Sequence, residues 1–246
     1  MRIAVLSDIH ANRQAFEAVL AQASQRGASR YVILGDIVGY GGDPGWCVQT
    51  CMALAEQGAV VIRGNHDQAV DDPLISLNET ARAAIDWTAG VLSPSEKAFL
   101  KGLPLEVRDE DRLYVHADAS APQKFRYVTD AEDAAAHFRA CQASVSFCGH
   151  VHVPALYALA PAGKVTAFAP HSATGIPLLP QRRWLAVMGS VGQPRDGNPA
   201  AAFAMLDTDT GELCFLRAAY DIEAAAASIR AADLPEKLAA RLFKGK

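Results

Sequence analysis

The chain has 246 residues, half of them hydrophobic, and a formal net charge of -4. That is enough apolar material for one domain over residues 1–246, and the near-balanced charge argues against a dedicated nucleic-acid surface. No apolar run could span a bilayer, and residues 1–6 are too short for a signal core, so a cytoplasmic protein without membrane partners is expected.

Residues 2–6 are short, apolar and β-prone and read as a buried strand. Asp8 and His10 follow it; two apart in extended chain, they would point to one side. Phe16, Val19, Leu20 and Ala23 give a helical stripe over 13–26, which Asn12 could cap and Gly27 ends. Residues 31–34 form the second strand, closed by Gly35-Asp36. Asp43-Pro44 opens a helix to 57, with Asp as N-cap and Pro at the first helical position. Residues 59–63 are the third strand and run directly into Gly64-Asn65-His66-Asp67. This strand–helix alternation predicts parallel strands with right-handed crossovers.

Residues 71–90 read as mostly helical, and Ser93-Pro94-Ser95-Glu96 is a capping box for another helix. A hairpin over 105–107 and 112–115 ends at His116. Thr129-Asp130-Ala131-Glu132 is a second capping box, for a helix to 141. The strand 145–148 leads into Gly149-His150-Val151-His152. Beyond Pro154, β-like runs at 155–159, 164–168, 184–188, 202–206 and 213–216 are expected as antiparallel strands of a second sheet. Helices follow over 221–243, the last after Pro235, and residues 244–246 are expected to fray.

The five cysteines show no disulfide framework; Cys47 and Cys51, one helical turn apart among apolar residues, read as small core residues. A reducing compartment fits. Of seven histidines, His137 reads as a partly exposed helix residue and His171 as a loop residue. The other five lie in polar runs after β-like segments: Asp8-x-His10, Gly35-Asp36, Gly64-Asn65-His66-Asp67, His116, and Gly149-His150-x-His152. Strand ends are where α/β proteins build sites. So many nitrogen and oxygen ligand types exceed one tetrahedral ion but suit two adjacent ions sharing a carboxylate. Without a thiolate, Mn²⁺, Fe, Zn²⁺, Ni²⁺ or Co²⁺ fits better than a cysteine zinc site. Two-metal sites of this kind hydrolyse esters at phosphorus.

Taken together these runs resemble the calcineurin-like metallophosphoesterases. The family pattern D-x-H, G-D-x-x-x-x-G, G-N-H-[D/E], a later His, and G-H-x-H is met in order. It falls on Asp8 and His10; Gly35, Asp36 and Gly41; Gly64 to Asp67; His116; and Gly149 to His152. The likeness covers residues 1–154. Gly39-Tyr40-Gly41 and the run from Gly189 to Arg195 are similar to a compact bacterial, YfcE-like phosphodiesterase branch.

The resemblance implies a four-layer α/β/β/α sandwich of two packed mixed sheets flanked by helices. It implies one ion held by Asp8, His10, Asp36 and His152, and another by Asp36, Asn65, His116 and His150. Mn²⁺ is the first choice for both. Asp36 would bridge, as a carboxylate with two oxygens can and Asn or His cannot easily do. His66 would face the substrate, protonated, to stabilise charge or protonate the leaving alkoxide, with Asp67 orienting it. A hydroxide held between the metals would attack phosphorus in line, without a phosphoenzyme.

Arg195, after a turn, is a candidate phosphate contact. Asn12 either touches substrate or caps its helix, and Arg13 and Tyr40 would flank the cleft. Ser190 lacks the partners of a triad. The expected activity is hydrolysis of small phosphodiesters; phosphomonoesters, dinucleoside tetraphosphates and phosphoproteins are the family alternatives. An inactive binding scaffold would be expected to lose ligands or His66, and this chain keeps them all.

Overall fold

Two six-stranded sheets lie at the centre of the computed structural model, which describes residues 1–246. The chain begins β1 (Arg2–Leu6), α1 (Arg13–Gln25), β2 (Arg30–Ile33), α2 (Pro44–Glu56), β3 (Val60–Val61) and α3 (Asn65–Ala69). It continues α4 (Glu79–Val91), α5 (Pro94–Gly102), β4 (Glu106–Asp109), β5 (Arg112–Val115), α6 (Ala131–Ala140) and β6 (Val145–His152). Then come β7 (Ala155–Leu159), β8 (Val165–Phe168), β9 (Gly175–Pro177), β10 (Arg183–Gly189), β11 (Ala201–Asp207) and β12 (Glu212–Ala218). Helices α7 (Ile222–Ala231) and α8 (Glu236–Leu242) close the chain.

The first sheet has the order β3-β2-β1-β11-β12-β9, and the second β4-β5-β6-β10-β7-β8. Both are mixed: β1, β2 and β3 pair in parallel, as do β5, β6 and β10, while the other pairings are antiparallel. The period of two decides which side chains meet. In β1, Ile3 and Val5 join Tyr114, Phe147 and Trp184 between the sheets. Ala4 and Leu6 face the other way, onto Phe16 and Val19 of α1. Burying Phe16 and Val19 completely stabilises the fold by about 1.5–3 kcal/mol each. Phe138 of α6 covers the outer face of the second sheet with Val115, Tyr157 and Leu185. The result is the four-layer α/β/β/α sandwich. No helix is long and apolar enough to cross a membrane.

Several local expectations are corrected. The strands after Pro154 do not form one sheet: β7, β8 and β10 extend the sheet begun by β4, β5 and β6, whereas β9, β11 and β12 join β1. Residues 71–78 are not helical. Pro73 biases Asp72 away from helix, Asp72 Oδ1 accepts from Leu74 N at 3.0 Å, and α4 starts only where Asn78 Oδ1 accepts from Ala81 N. Asp43 occupies the N-cap position of α2 but makes no capping bond. The Ser93–Glu96 box forms in both halves, but α6 is capped by Asp130, one residue after Thr129. Residues 244–246 do not fray freely, since Gly197 N donates to Gly245 O at 2.9 Å. His137 is fully buried, accepting from Ala119 N at 3.2 Å. Cys47 and Cys51 are buried free thiols, and His171 is exposed.

Candidate metal centre

The five polar runs meet at one end of the two sheets. Asp8, His10, Asp36, His150 and His152 all have left-handed backbone, with φ of 56°, 49°, 52°, 68° and 64°. Asp8 and His10 therefore converge through a tight turn rather than along extended chain. Such residues cost about 1–3 kcal/mol each and persist only where the surroundings hold them. Here hydrogen bonds hold them: Asp8 N donates to Gly35 O, His10 N to Asp36 O, and Gly149 N to His116 O, at 2.8–3.1 Å. In β6, the register against β10 shifts between Val187 and Gly189, so His152 lies opposite Gly189 while Cys148 lies opposite Val187. This bulge turns both histidines of the strand inward.

The ring hydrogen bonds fix what the histidines offer. His10 Nδ1 is 3.0 Å from Val38 O, His116 Nδ1 is 2.7 Å from Leu34 O, and His152 Nδ1 is 2.7 Å from Gln193 O. A carbonyl only accepts, so each Nδ1 carries a proton, and Nε2 is the lone pair that each ring offers when neutral. The Nε2 atoms of His10 and His152 then face each other at 3.1 Å. That arrangement needs a cation or an extra proton between them. Burial, followed by His152 and His66, pushes the His10 pKa well below its usual value, which disfavours the proton. Asp8 Oδ1 is buried without a hydrogen-bond partner, 3.3 Å from His152 Nε2 and 3.8 Å from His10 Nε2. This orphaned oxygen and the two lone pairs fit a divalent ion.

A second cluster joins Asp36, His116 and His150, with ligand atoms within 4.8 Å of one another. His116 Nε2 is 3.2 Å from His150 Nδ1 and 3.3 Å from Asn65 Oδ1. Asp36 Oδ2 lies between the clusters, 3.7 Å from His10 Nε2 and 3.4 Å from His116 Nε2. Burial opposes the His116 charge, yet Asp36 overcomes it and raises the pKa to about 9. In the metal-free protein a proton therefore sits where the second ion would bind. Burial opposes the Asp36 charge, but His116 foremost, then His66 and His10, hold its carboxyl well below the usual carboxylate range.

His66 is also within ligand reach of His10 and Asp36. It differs from the other three in having no carbonyl to fix its tautomer: its buried Nδ1 has no hydrogen-bond partner. Its ring is wedged against Tyr40, at 4.6 Å between centroids, and against Gly39, where a Cβ would strike the imidazole. Burial lowers its pKa to about 4, against the pull of Asp36. Asp67 does not touch the His66 ring, contrary to expectation. Its carboxylate accepts from Ile37 N, Val38 N and Gly64 N at 2.8, 3.2 and 2.9 Å, tying the loop after β2 to α3. Gly64 is required for close approach, since a Cβ would collide with the Asp36 carboxylate.

A cleft of about 300 Å³ opens above this floor, lined there by Asp36, Asn65, His66, His150 and His152. Tyr40 and Arg195 also line it. Asn12 does not reach it: its Oδ1 caps α1 and its Nδ2 donates to Gly192 O at 2.9 Å. Nor does Arg13, which pairs with Glu17 and lies over Trp46. Ser190 is structural, donating to Asp8 O at 2.7 Å. The rim that sequence reading missed comes from Leu74, Leu77 and Asn78 on one side and Lys124, Phe125 and Tyr127 on the other. Tyr127 stacks on His150 at 4.1 Å. The clue was Lys124-Phe125-Arg126-Tyr127, an aromatic and basic run placed between His116 and α6.

The sequence pattern of the calcineurin-like phosphoesterase superfamily domain matches residues 1–211. The chain belongs to this superfamily. It is 33% identical over 256 aligned residues to "Uncharacterized protein MJ0912" of Methanocaldococcus jannaschii, covering 99% of this chain and 98% of that one. The crystal structure of a metallophosphoesterase from Sphaerobacter thermophilus superposes with a TM-score of 0.89 at 36% identity, covering 100% of this chain and 99% of the other. Phosphodiesterase YfcE of Escherichia coli is 26% identical over 85% of this chain and 89% of its own length. Family and geometry agree on a metal-dependent phosphoesterase whose two Asp/His clusters form a dinuclear site.

Proposed function

We infer that this phosphoesterase hydrolyses small phosphodiesters. The observation that carries the reading is His66, an imidazole without a hydrogen-bond partner on its buried Nδ1, beside the shared carboxylate Asp36 and facing a cleft of about 300 Å³. The cleft has room for a small ester with groups on both sides of phosphorus. The YfcE-like placement belongs to the same proposal: Tyr40 and Arg195, from the two runs that suggested it, both line the cleft. Identity to YfcE is nevertheless lower than to the Methanocaldococcus and Sphaerobacter proteins.

Asp8, His10, Asp36 and His152 would hold one divalent ion, and Asp36, Asn65, His116 and His150 the other; Mn²⁺ is the first candidate. Bound there, the ions would screen the phosphoryl oxygens and lower the pKa of the attacking water. The chain's own part is positioning and proton control. Buried carboxylates and histidines hold the ligand geometry without rotamer freedom. His66 is neutral in the free protein at pH 7, its pKa being about 4. An anionic phosphoryl group beside it favours the protonated form. His66 then donates a hydrogen bond to the developing charge and delivers its proton to the leaving oxygen.

The test is a turnover screen of the purified protein over diesters, monoesters, cyclic nucleotides and dinucleoside polyphosphates, with Mn²⁺ and the other candidate ions. The largest kcat/KM is expected on small diesters. No hydrolysis with any ion would sink the proposal, and a monoester preference would reassign the substrate class.

A further inference from the structure

Arg195, which lines the cleft, shares one acceptor with Arg241, which lies outside the lining. Arg195 Nη2 lies 2.9 Å, and Arg241 Nη1 3.1 Å, from the same atom, Gln193 Oε1. Gln193 is buried, and its main-chain carbonyl accepts from His152 Nδ1. A neutral amide oxygen therefore holds two guanidinium groups at once. Neither forms an ion pair with Asp or Glu; the side chain of each meets its acceptor at Gln193 Oε1.

The pair is held in place by packing. Arg195 lies over the Tyr40 ring at 5.8 Å, and its buried Nε has no partner. Arg241 is carried by α8, whose Leu238 and Leu242 pack with Tyr40 and with Ala81 of α4. Burial and then Arg195 lower the Arg241 pKa from its usual value. Holding two like charges together costs free energy that an anion would offset. The cleft beside them has the same sign. Lys124 and Arg195 line it, and Asp36 on the floor is the one carboxylate among its lining residues. Planar guanidinium groups match phosphate geometry better than a point charge does.

We propose that Arg195, held by Gln193 beside Arg241, is a second anion subsite, which takes a phosphate group of the substrate remote from the scissile one. The substrates are then phosphoesters carrying at least one further phosphate, and Arg241, acting through Gln193, is a positioning residue for the subsite. The proposal rests on the phosphoesterase reading above.

The experiment compares two p-nitrophenyl phosphodiesters that differ only in the alcohol tail, ending in methyl or in phosphate. The metal-loaded wild type should show the higher kcat/KM on the phosphate-tailed ester. Arg241→Gln should lower the ratio of the two kcat/KM values about tenfold, mainly through KM, and Arg195→Gln at least as much. Arg241→Lys should retain part of the preference. A wild-type ratio of one overturns the subsite and leaves the phosphoesterase standing. So does a ratio that survives both glutamine substitutions, including the case where both esters fall together. Failure of the wild type to hydrolyse either ester with any divalent ion overturns both readings.

Discussion

The floor of the cleft and its rim are built in opposite ways. Every residue proposed as a metal ligand on the floor is buried, and five of the seven have left-handed backbone. The Nδ1 protons of His10, His116 and His152 are committed to main-chain carbonyls, and Asp36 lies between the two clusters. The rim comes from segments outside the sheets, and Leu74 is 90% and Tyr127 53% exposed. The floor is held by main-chain hydrogen bonds, whereas the rim meets it through side chains, as where Tyr127 stacks on His150. The difference separates chemistry from choice of substrate.

The comparison can be broken most sharply at Asp36. Asp36→Asn removes the one carboxylate facing both clusters, and turnover should fall by about 10³-fold or more. Elemental analysis should find fewer than two ions per chain; two retained ions would show that Asp36 does not bridge. At His66 the two readouts should separate. His66→Asn is expected to lower kcat by about 10²–10⁴-fold while both ions remain, whereas Asn65→Ala should lose metal first. Parallel loss of metal in both variants would put His66 among the ligands. On the rim, Tyr127→Ala and Lys124→Gln should raise KM severalfold, to about 3–10 times wild type, and leave metal content unchanged. A collapse of kcat there would join rim to floor.

The smallest effect is on stability. His116 has its pKa raised from 6.5 to about 9 in the metal-free fold. Its protonated form binds the native state more strongly, so this contribution is full below pH 6.5 and is lost as pH rises through about 9. Tm in chelator should therefore fall over that range. Added metal must displace this proton, so its stabilising effect should grow as pH rises. A Tm that stays flat over that range in chelator, or a fall that survives His116→Gln, would contradict the proton at His116.

Much of the floor was legible because each ligand run follows an apolar β-prone stretch, so residue type and position in the element agreed. The two-sheet architecture followed from the resemblance, but the assignment of late strands to sheets did not. β7 and β11 look alike locally, and only their partners distinguish them. Asp67 beside His66 suggested an orienting carboxylate; its true partners, Ile37 and Val38, lie some 30 residues away. Asn12 and Arg13 follow the Asp8-x-His10 turn, but the start of α1 commits Asn12 to the cap and carries Arg13 outward. The rim and Arg241 were not legible, because loops without periodicity and a helix far along the chain reach the site only through the completed fold.

The order in which the strands pair has a consequence for synthesis. All seven ligands have been translated once His152 leaves the ribosome. At that point β1 still lacks β11, and β6 still lacks β10, which comprise residues 201–207 and 183–189. β1 and β6 then each present one bare edge, whereas β2 and β5 already have both neighbours. The left-handed turns at Asp8 and His152 also lack their later anchors: Val191 and Gly192 bond the Ser7 and Asp8 carbonyls, and Gln193 accepts from His152. A nascent chain thus holds every metal-binding side chain before it holds the metal site. The backbone that fixes the two Asp/His clusters is completed only with the last quarter of the protein.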